Sequence, residues 1–276
     1  MANSLDAVKP VLLSVVGPNG DSGASPGVPG AAGAAAGRTG ATGGVSALPN
    51  SFAHECFIDE LAQLAGADPL AYRLAHLPDE RAAALLQAVA ERAQWMPHAT
   101  GTRGQAQRGK LHGRGIAYAR YVHSKFPGFG AAWSAWVVDL EVDVATGRIA
   151  VSRVVVGQDT GMMINPDGVR HQVHGNVVQA LSRVLKEEVG FDANGVENRE
   201  WGSYPLLGFT EVPAIDVLLM PRQHEPPLGA GESASVPGAA AVANALFDAT
   251  GVRFYAPPFS PDKVRQSLEN AAPDRP

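Results

Sequence analysis

The chain has 276 residues, with 22 Lys and Arg against 27 Asp and Glu and a formal charge of −5. That length suits one large domain or two small ones. Its charges are mixed along the sequence with no basic stripe, which argues against nucleic acid as a partner. The single cysteine, Cys56, excludes an internal disulfide framework and any cysteine-held cluster or zinc site within the chain.

No apolar run approaches the roughly 20 residues a membrane helix needs. Residues 11–16 are too short for the apolar region of a signal peptide. With no export signal visible, the default expectation is a cytoplasmic protein. Residues 17–47 are about a third Gly, and Ala, Pro, Ser and Thr make up most of the rest. Such a segment cannot bury enough apolar surface to offset its ordering entropy. Glycine recurs nearly every third residue but slips after Ser25 and at residues 34–36, and a collagen helix tolerates such slips poorly. The expectation is a disordered Gly/Ala/Pro-rich leader over residues 1–49 and a folded portion over residues 50–276.

The folded portion reads as α+β. Ser51 is placed to cap a helix whose apolar face is Phe57, Ile58, Leu61 and Leu64. Gly66 and Asp68-Pro69 break it, and Pro69 suits the first turn of a short helix through residue 74. A third helix over residues 79–95 turns Leu85, Leu86, Val89 and Ala93 inward. Residues 115–122 read as a strand. Residues 133–142 and 149–156 read as a hairpin about Ala145-Thr146-Gly147-Arg148, with Trp133 and Trp136 as its packing. A loop over residues 157–166 leads into a helix over residues 167–189, spaced by Val169, Val173, Val177, Leu181 and Leu185. A strand at residues 214–220, a helix at residues 239–247 ending near Gly251, and a last helix from Ser260-Pro261 to about residue 270 complete the chain. Hairpins and helices alternate without a regular βαβ repeat, hence α+β.

Glu232 stands out within Pro226-Pro227-Leu228-Gly229-Ala230-Gly231-Glu232-Ser233-Ala234, ahead of an Ala-rich apolar run. A carboxylate on a Gly-flanked loop at a helix start suits a base beside an anionic cofactor, because the glycines admit a close ligand and the helix end offers free N–H groups. The same residue also suits a plain first-turn acid favoured by the helix dipole.

Three blocks decide between these readings. They are Ser51-Phe52-Ala53 to Asp59-Glu60-Leu61-Ala62 with Ala67-Asp68-Pro69-Leu70; Gln158-Asp159-Thr160-Gly161, Ile164-Asn165-Pro166, Gln172-Val173-His174-Gly175-Asn176 and Gln179; and Gly229-Ala230-Gly231-Glu232 with Ala243-Asn244-Ala245 and Asp248-Ala249-Thr250-Gly251. In order and spacing they resemble the C-terminal part of the molybdopterin-binding large subunit of molybdenum hydroxylases, the xanthine dehydrogenase and aldehyde oxidase family. The closest pattern is that of bacterial isoquinoline and nicotinate oxidoreductases.

The resemblance implies a molybdenum–pterin cofactor whose metal is held by the pterin dithiolene and not by protein thiolates. It implies Glu232 as the base that serves oxygen insertion at an electron-poor carbon of an N-heteroaromatic or aldehyde substrate. It implies Gln172, Gly175, Asn176, Gln179, Gly229 and Gly231 on the cofactor side. Trp201 and Tyr204 fall in a segment resembling the substrate side, where they could stack a heterocycle or equally be core aromatics. His174 departs from a position often glutamate in the family.

The family's large subunit is far longer than this chain. The implied partners are an N-terminal half of the large subunit, an iron–sulfur subunit carrying the clusters, and a cytochrome or flavin acceptor. A split subunit and a truncated or frame-shifted non-catalytic fragment both suit the composition break near Leu48, and a binding or assembly module stays open. Under each, the chain alone is expected to be inactive.

Overall fold

The computed structural model describes residues 47–99, 106–123 and 130–271. Residues 1–46 of the expected leader lie outside them. Helix α1 (Ala47–Leu64) opens four residues before Ser51, inside the expected leader. Pro49 permits this, because it sits in the first turn, where N–H groups have no intrahelical acceptor. Helix α2 (Pro69–His76) is capped by Asp68, which accepts from Ala71 N–H at 2.8 Å. Helix α3 (Glu80–Ala93) is capped by Asp79, which accepts from the N–H groups of Arg81 and Ala82, and the helix ends in a left-handed Gln94.

Strands β1 (Lys110–His123), β2 (Gly130–Asp143) and β3 (Ile149–Asp159) form an antiparallel meander. Helix α4 (Pro166–Leu185) follows. A small hairpin of β4 (Phe191–Asp192) and β5 (Gly195–Val196) comes next, and then β6 (Ala214–Leu219) pairs parallel to β3. The main sheet runs β1-β2-β3-β6. Its one parallel pair needs a crossover, which α4 supplies. Helices α5 (Gly238–Thr250) and α6 (Pro261–Asn270) close the chain.

The sheet buries both faces, as expected for a strand run as apolar as β2. Ala117, Trp136, Val138, Val154 and Val156 meet α4, α5 and α6 on one side. Ile116, Ala135, Val137 and Val155 meet Leu85, Leu86 and Val89 of α3 on the other. Each of those α3 side chains is fully buried and contributes about 1.5–3 kcal/mol by leaving water. The architecture is the expected α+β class.

Helix α5 lies against β1 more closely than ordinary side chains allow. A Cβ on Gly113 would strike the backbone of Ala245 and Ala249, and one on Gly115 the backbone of Ala241 and Ala245. The α1–α2 corner is joined by ions instead. Arg73, buried, donates from Nε to Glu55 at 2.9 Å, with Asp59 3.5 Å away, and Arg253 donates to Asp59 at 3.0 Å. Burial pushes the Glu55 carboxyl up, but the Arg73 guanidinium and His54 together hold it below its ordinary 4.5.

Candidate active site

Glu232 does not cap a long helix. A single 3₁₀ turn, Ser233–Ser235, follows it, and α5 begins only at Gly238. Its side chain makes no capping bond. The first-turn acid reading therefore has no geometric basis. Glu232 is instead exposed on a loop whose main chain is gripped from several sides.

Ser235 donates to the Glu232 carbonyl from both its N–H (3.0 Å) and its hydroxyl (2.7 Å). Asn176, buried on α4, donates to the Gly231 carbonyl at 2.8 Å and accepts from Ser235 N–H at 3.0 Å. Trp136 donates from Nε1 to the Ala234 carbonyl at 2.7 Å. Gln158, at the end of β3, donates to the Ser233 hydroxyl at 2.8 Å. Strands β2 and β3 and helix α4 thus hold residues 231–235 while the Glu232 carboxylate faces outward. Tyr121 of β1 lies beside it; burial and then the Glu232 charge raise the Tyr121 phenol above its ordinary 10.

Beside this loop lies an open cleft of about 500 Å³, lined by Thr160, residues 162–165, Gly168, Val169, His171, Gln172, Pro227, Leu228, Ala230 and Gly231. Its two walls are tied together. Met162 N–H donates to the Glu225 carbonyl at 3.0 Å and Leu228 N–H to the Thr160 carbonyl at 2.9 Å. Between them Gly161, at φ +66°, leaves the space that Pro226 O occupies. The wall is footed on Asp159, which is buried and accepts two bonds from Arg81 (2.6 and 2.8 Å), one from Arg222 and one from Gly161 N–H. Burial pushes the Asp159 carboxyl up, yet these donors hold it below the usual carboxylate range.

The cleft brings Gln172 and Gly231 together and adds Asn165, the N-cap of α4, with His171. Gly175 and Gln179 are exposed on α4 but outside the cleft lining, as is Gly229 on its loop. Asn176, expected on the cofactor side, directs both bonds from its amide nitrogen and the one to its oxygen to protein, and so fixes the Glu232 loop.

The expected loop from residue 157 starts later, because Gln158 and Asp159 continue β3 against Ser134 and Trp133. Trp201 is 105 % exposed, which removes the core-aromatic reading for it, and it lines no part of the cleft. Tyr204 is half-buried and donates to Glu187 at 2.8 Å, also away from the cleft. His174 is half-buried on α4. Trp136 packs the hairpin as expected and also grips the loop. Tyr121 escapes the sequence reading, although its place in the alternation of β1 was visible.

A family model described as "Molybdopterin cofactor-binding domain" matches residues 23–213. The chain belongs to that family. The matched span takes in α4 and the 160–172 cleft wall and stops before the Glu232 loop. A nicotinate dehydrogenase subunit of Pseudomonas putida is 63% identical over 235 residues, 84% of this chain and 20% of its own length. The beta subunit of isoquinoline 1-oxidoreductase from Brevundimonas diminuta is 30% identical over 79% of this chain and 26% of its own length. The chain thus spans about a fifth to a quarter of the length of these curated relatives. The aldehyde oxidoreductase from Desulfovibrio gigas superposes with a TM-score of 0.64 over 83% of this chain and 42% of that one, at 17% identity, and so shares the fold. Among the described residues, no helix is long and apolar enough to cross a membrane.

The residues present fit the family's cofactor. No main-chain N–H from Gly229 to Glu232 has a backbone acceptor among the described residues. Gly231 and Gly175 both face open space where a Cβ would stand. A glycine inside a helix with no internal packing reason is a mark of close approach by something outside the helix. Exposed N–H groups, the Gln172 amide and two bare glycines together suit a large, flat, amide-rich and anionic group.

Proposed function

We propose that this chain forms part of the large subunit of a molybdenum hydroxylase, with Glu232 as the base. The observation that carries this reading is an outward carboxylate on a loop clamped through the main chain of Gly231, Glu232, Ala234 and Ser235, beside a cleft that fits the pterin. Gln172 and the N–H groups of the 229–231 loop hold the cofactor, and Gly175 and Gly231 let it lie against the backbone. When bound, the molybdenum cofactor supplies two-electron oxidation with oxygen drawn from water. Glu232 accepts the proton that this chemistry releases, at a carboxylate oxygen whose position is fixed before substrate arrives.

The substrate class is an N-heteroaromatic. The reading is supported by the 63% identity to the nicotinate dehydrogenase subunit, and an aldehyde is the alternative substrate. Activity requires a further large-subunit portion to complete the pterin site. It also requires an iron–sulfur subunit to take the electrons, with a cytochrome or flavin acceptor beyond it.

The test is reconstitution with such partners, followed by Glu232→Gln. Turnover should fall about 10²–10⁴-fold, the range of a positioned general base, while bound molybdenum stays unchanged. Full turnover in the variant ends the base assignment.

A second reading, a non-catalytic assembly module, draws on the exposed Trp201 (105 %) and Phe209 (95 %). Large exposed aromatics are a feature of docking surfaces. A complex that forms stoichiometrically and turns over equally with Glu232→Gln is the outcome this reading requires.

A further inference from the structure

The odd-numbered residues of β1 line its α5-facing side: Gly113 and Gly115, then Ala117 and Ala119, then Tyr121. Helix α5 runs antiparallel along this row. Gly113 abuts Ala245 and Ala249, and Gly115 abuts Ala241 and Ala245. Two strand residues advance about 6.7 Å and four helical residues about 6 Å, so the two elements stay nearly in step.

Continuing the row puts Ala117 opposite the helix start. Its cross-strand partner Trp136 confirms this, since a Cβ on Gly238 would lie 2.9 Å from the Trp136 ring. Two residues further on, the row reaches the Ser233–Ser235 turn, which packs on β1. Tyr121, next along the row, then falls beside Glu232, near enough for the carboxylate to raise the phenol.

The geometry points to Tyr121 as the positioning residue for Glu232: its hydroxyl donates to the carboxylate and fixes the orientation of the one part of residues 231–235 that the main-chain clamps leave free. This rests on Glu232 as the base. The two claims nevertheless separate, because the contact exists in the unloaded chain whereas the base role appears only in the assembled enzyme. A rigid strand is a better mount for such a donor than a loop, because its backbone is fixed by pairing to Ala132 and by the sheet beyond. Tyr121 touches no reacting atom; its effect passes through Glu232.

The first measurement uses the full chain with ¹³C-labelled tyrosine, Tyr121 being assigned by the signal lost in Tyr121→Phe. Its phenol should titrate late. In Glu232→Gln it should titrate earlier, because a neutral amide no longer repels the phenolate. No movement on that substitution overturns the contact.

The second measurement uses the reconstituted enzyme. Tyr121→Phe keeps the ring and removes only the hydroxyl. It should lower kcat about ten- to a hundredfold, the scale of a misplaced catalytic group, with KM within about twofold and bound molybdenum unchanged. Wild-type kcat in Tyr121→Phe overturns the positioning role while leaving Glu232 as base. Wild-type kcat in Glu232→Gln overturns the base and leaves the tyrosine titration standing.

Discussion

Two glutamates of this chain show how one side chain serves two ends. Glu55 is 1 % exposed, bound to Arg73, and its charge is balanced inside the α1–α2 corner. Glu232 is exposed, and the structure around it holds the backbone and leaves the carboxylate facing out. At Glu55 the polar groups bind elements to one another. At Glu232 equally elaborate bonding fixes a loop so that one group can be presented. A charge with buried ion partners is a structural device; a charge on a clamped loop beside a cleft is a chemical one.

The contrast breaks first at Arg73. Arg73→Ala leaves Glu55 buried without its guanidinium partner and Asp59 with Arg253 alone, and should destabilise the fold by about 3–5 kcal/mol, read by urea unfolding. The Glu55 part of this corner should weaken in acid. The Glu55 carboxyl is held below 4.5 in the fold, so its contribution is present above that value and is lost as pH falls through the lower folded value. Unchanged stability in Arg73→Ala would show that the corner is held by packing alone.

Asn176→Ala tests the other pole. It takes the partner from the Gly231 carbonyl and leaves the Ser235 N–H with the Glu232 carbonyl alone, and should cost about 1–3 kcal/mol, with turnover of the reconstituted enzyme falling more steeply than stability. Equal stability loss without a kinetic defect would make Asn176 a core residue only.

His98 supplies an intermediate case. The Asp248 carboxylate, 3.2 Å from Nε2, raises its imidazole from 6.5 to about 9 against the opposing pull of burial. A raised folded value stabilises fully below 6.5, and that stabilisation is lost as pH rises through about 9. Thermal midpoints should therefore decline between those limits, and Asp248→Asn should flatten the decline.

Gly175→Ala should raise stability by about 0.5–1 kcal/mol, since the helix gains a better former and nothing stands within 4 Å. The same methyl should lower pterin retention if the cofactor lies there. Last, Glu232→Gln should shift stability by less than about 0.5 kcal/mol, in contrast to any change at Glu55.

Much of this was legible in the chain. The helical face at Leu85, Leu86 and Val89 and the alternation of β2 specify both sides of the sheet, because burial imposes those periods directly. The Gly229-Ala230-Gly231-Glu232 block marks the loop. The network behind it was not legible, because its partners lie far apart in sequence: Asn176 reaches Gly231 across 55 residues, and Gln158 reaches Ser233 across 75. Periodicity reports which face a residue occupies and carries nothing about which distant carbonyl meets it. Asn176, one helical turn from Gln172, therefore read only as a cofactor-side amide, and its hold on the loop went unseen. The short turn between Glu232 and α5 was hidden for a similar reason: Pro237 marks a helix start, but nothing local shows that Ser233–Ser235 winds first. Tyr121 was the recoverable miss, since Gly113, Gly115, Ala117 and Ala119 already spell out a row on which it is next.

That row makes the far end of β1 a remote control on chemistry. Gly113 stands eight residues from Tyr121, about 27 Å along the strand, and its missing side chain sets how deeply α5 can seat. A methyl group at Gly113 would lift the helix, and the helix carries the turn that bears Glu232. Variants near Gly113 should therefore surface in a genetic screen as losses of activity in folded protein, with no defect visible at the cleft itself.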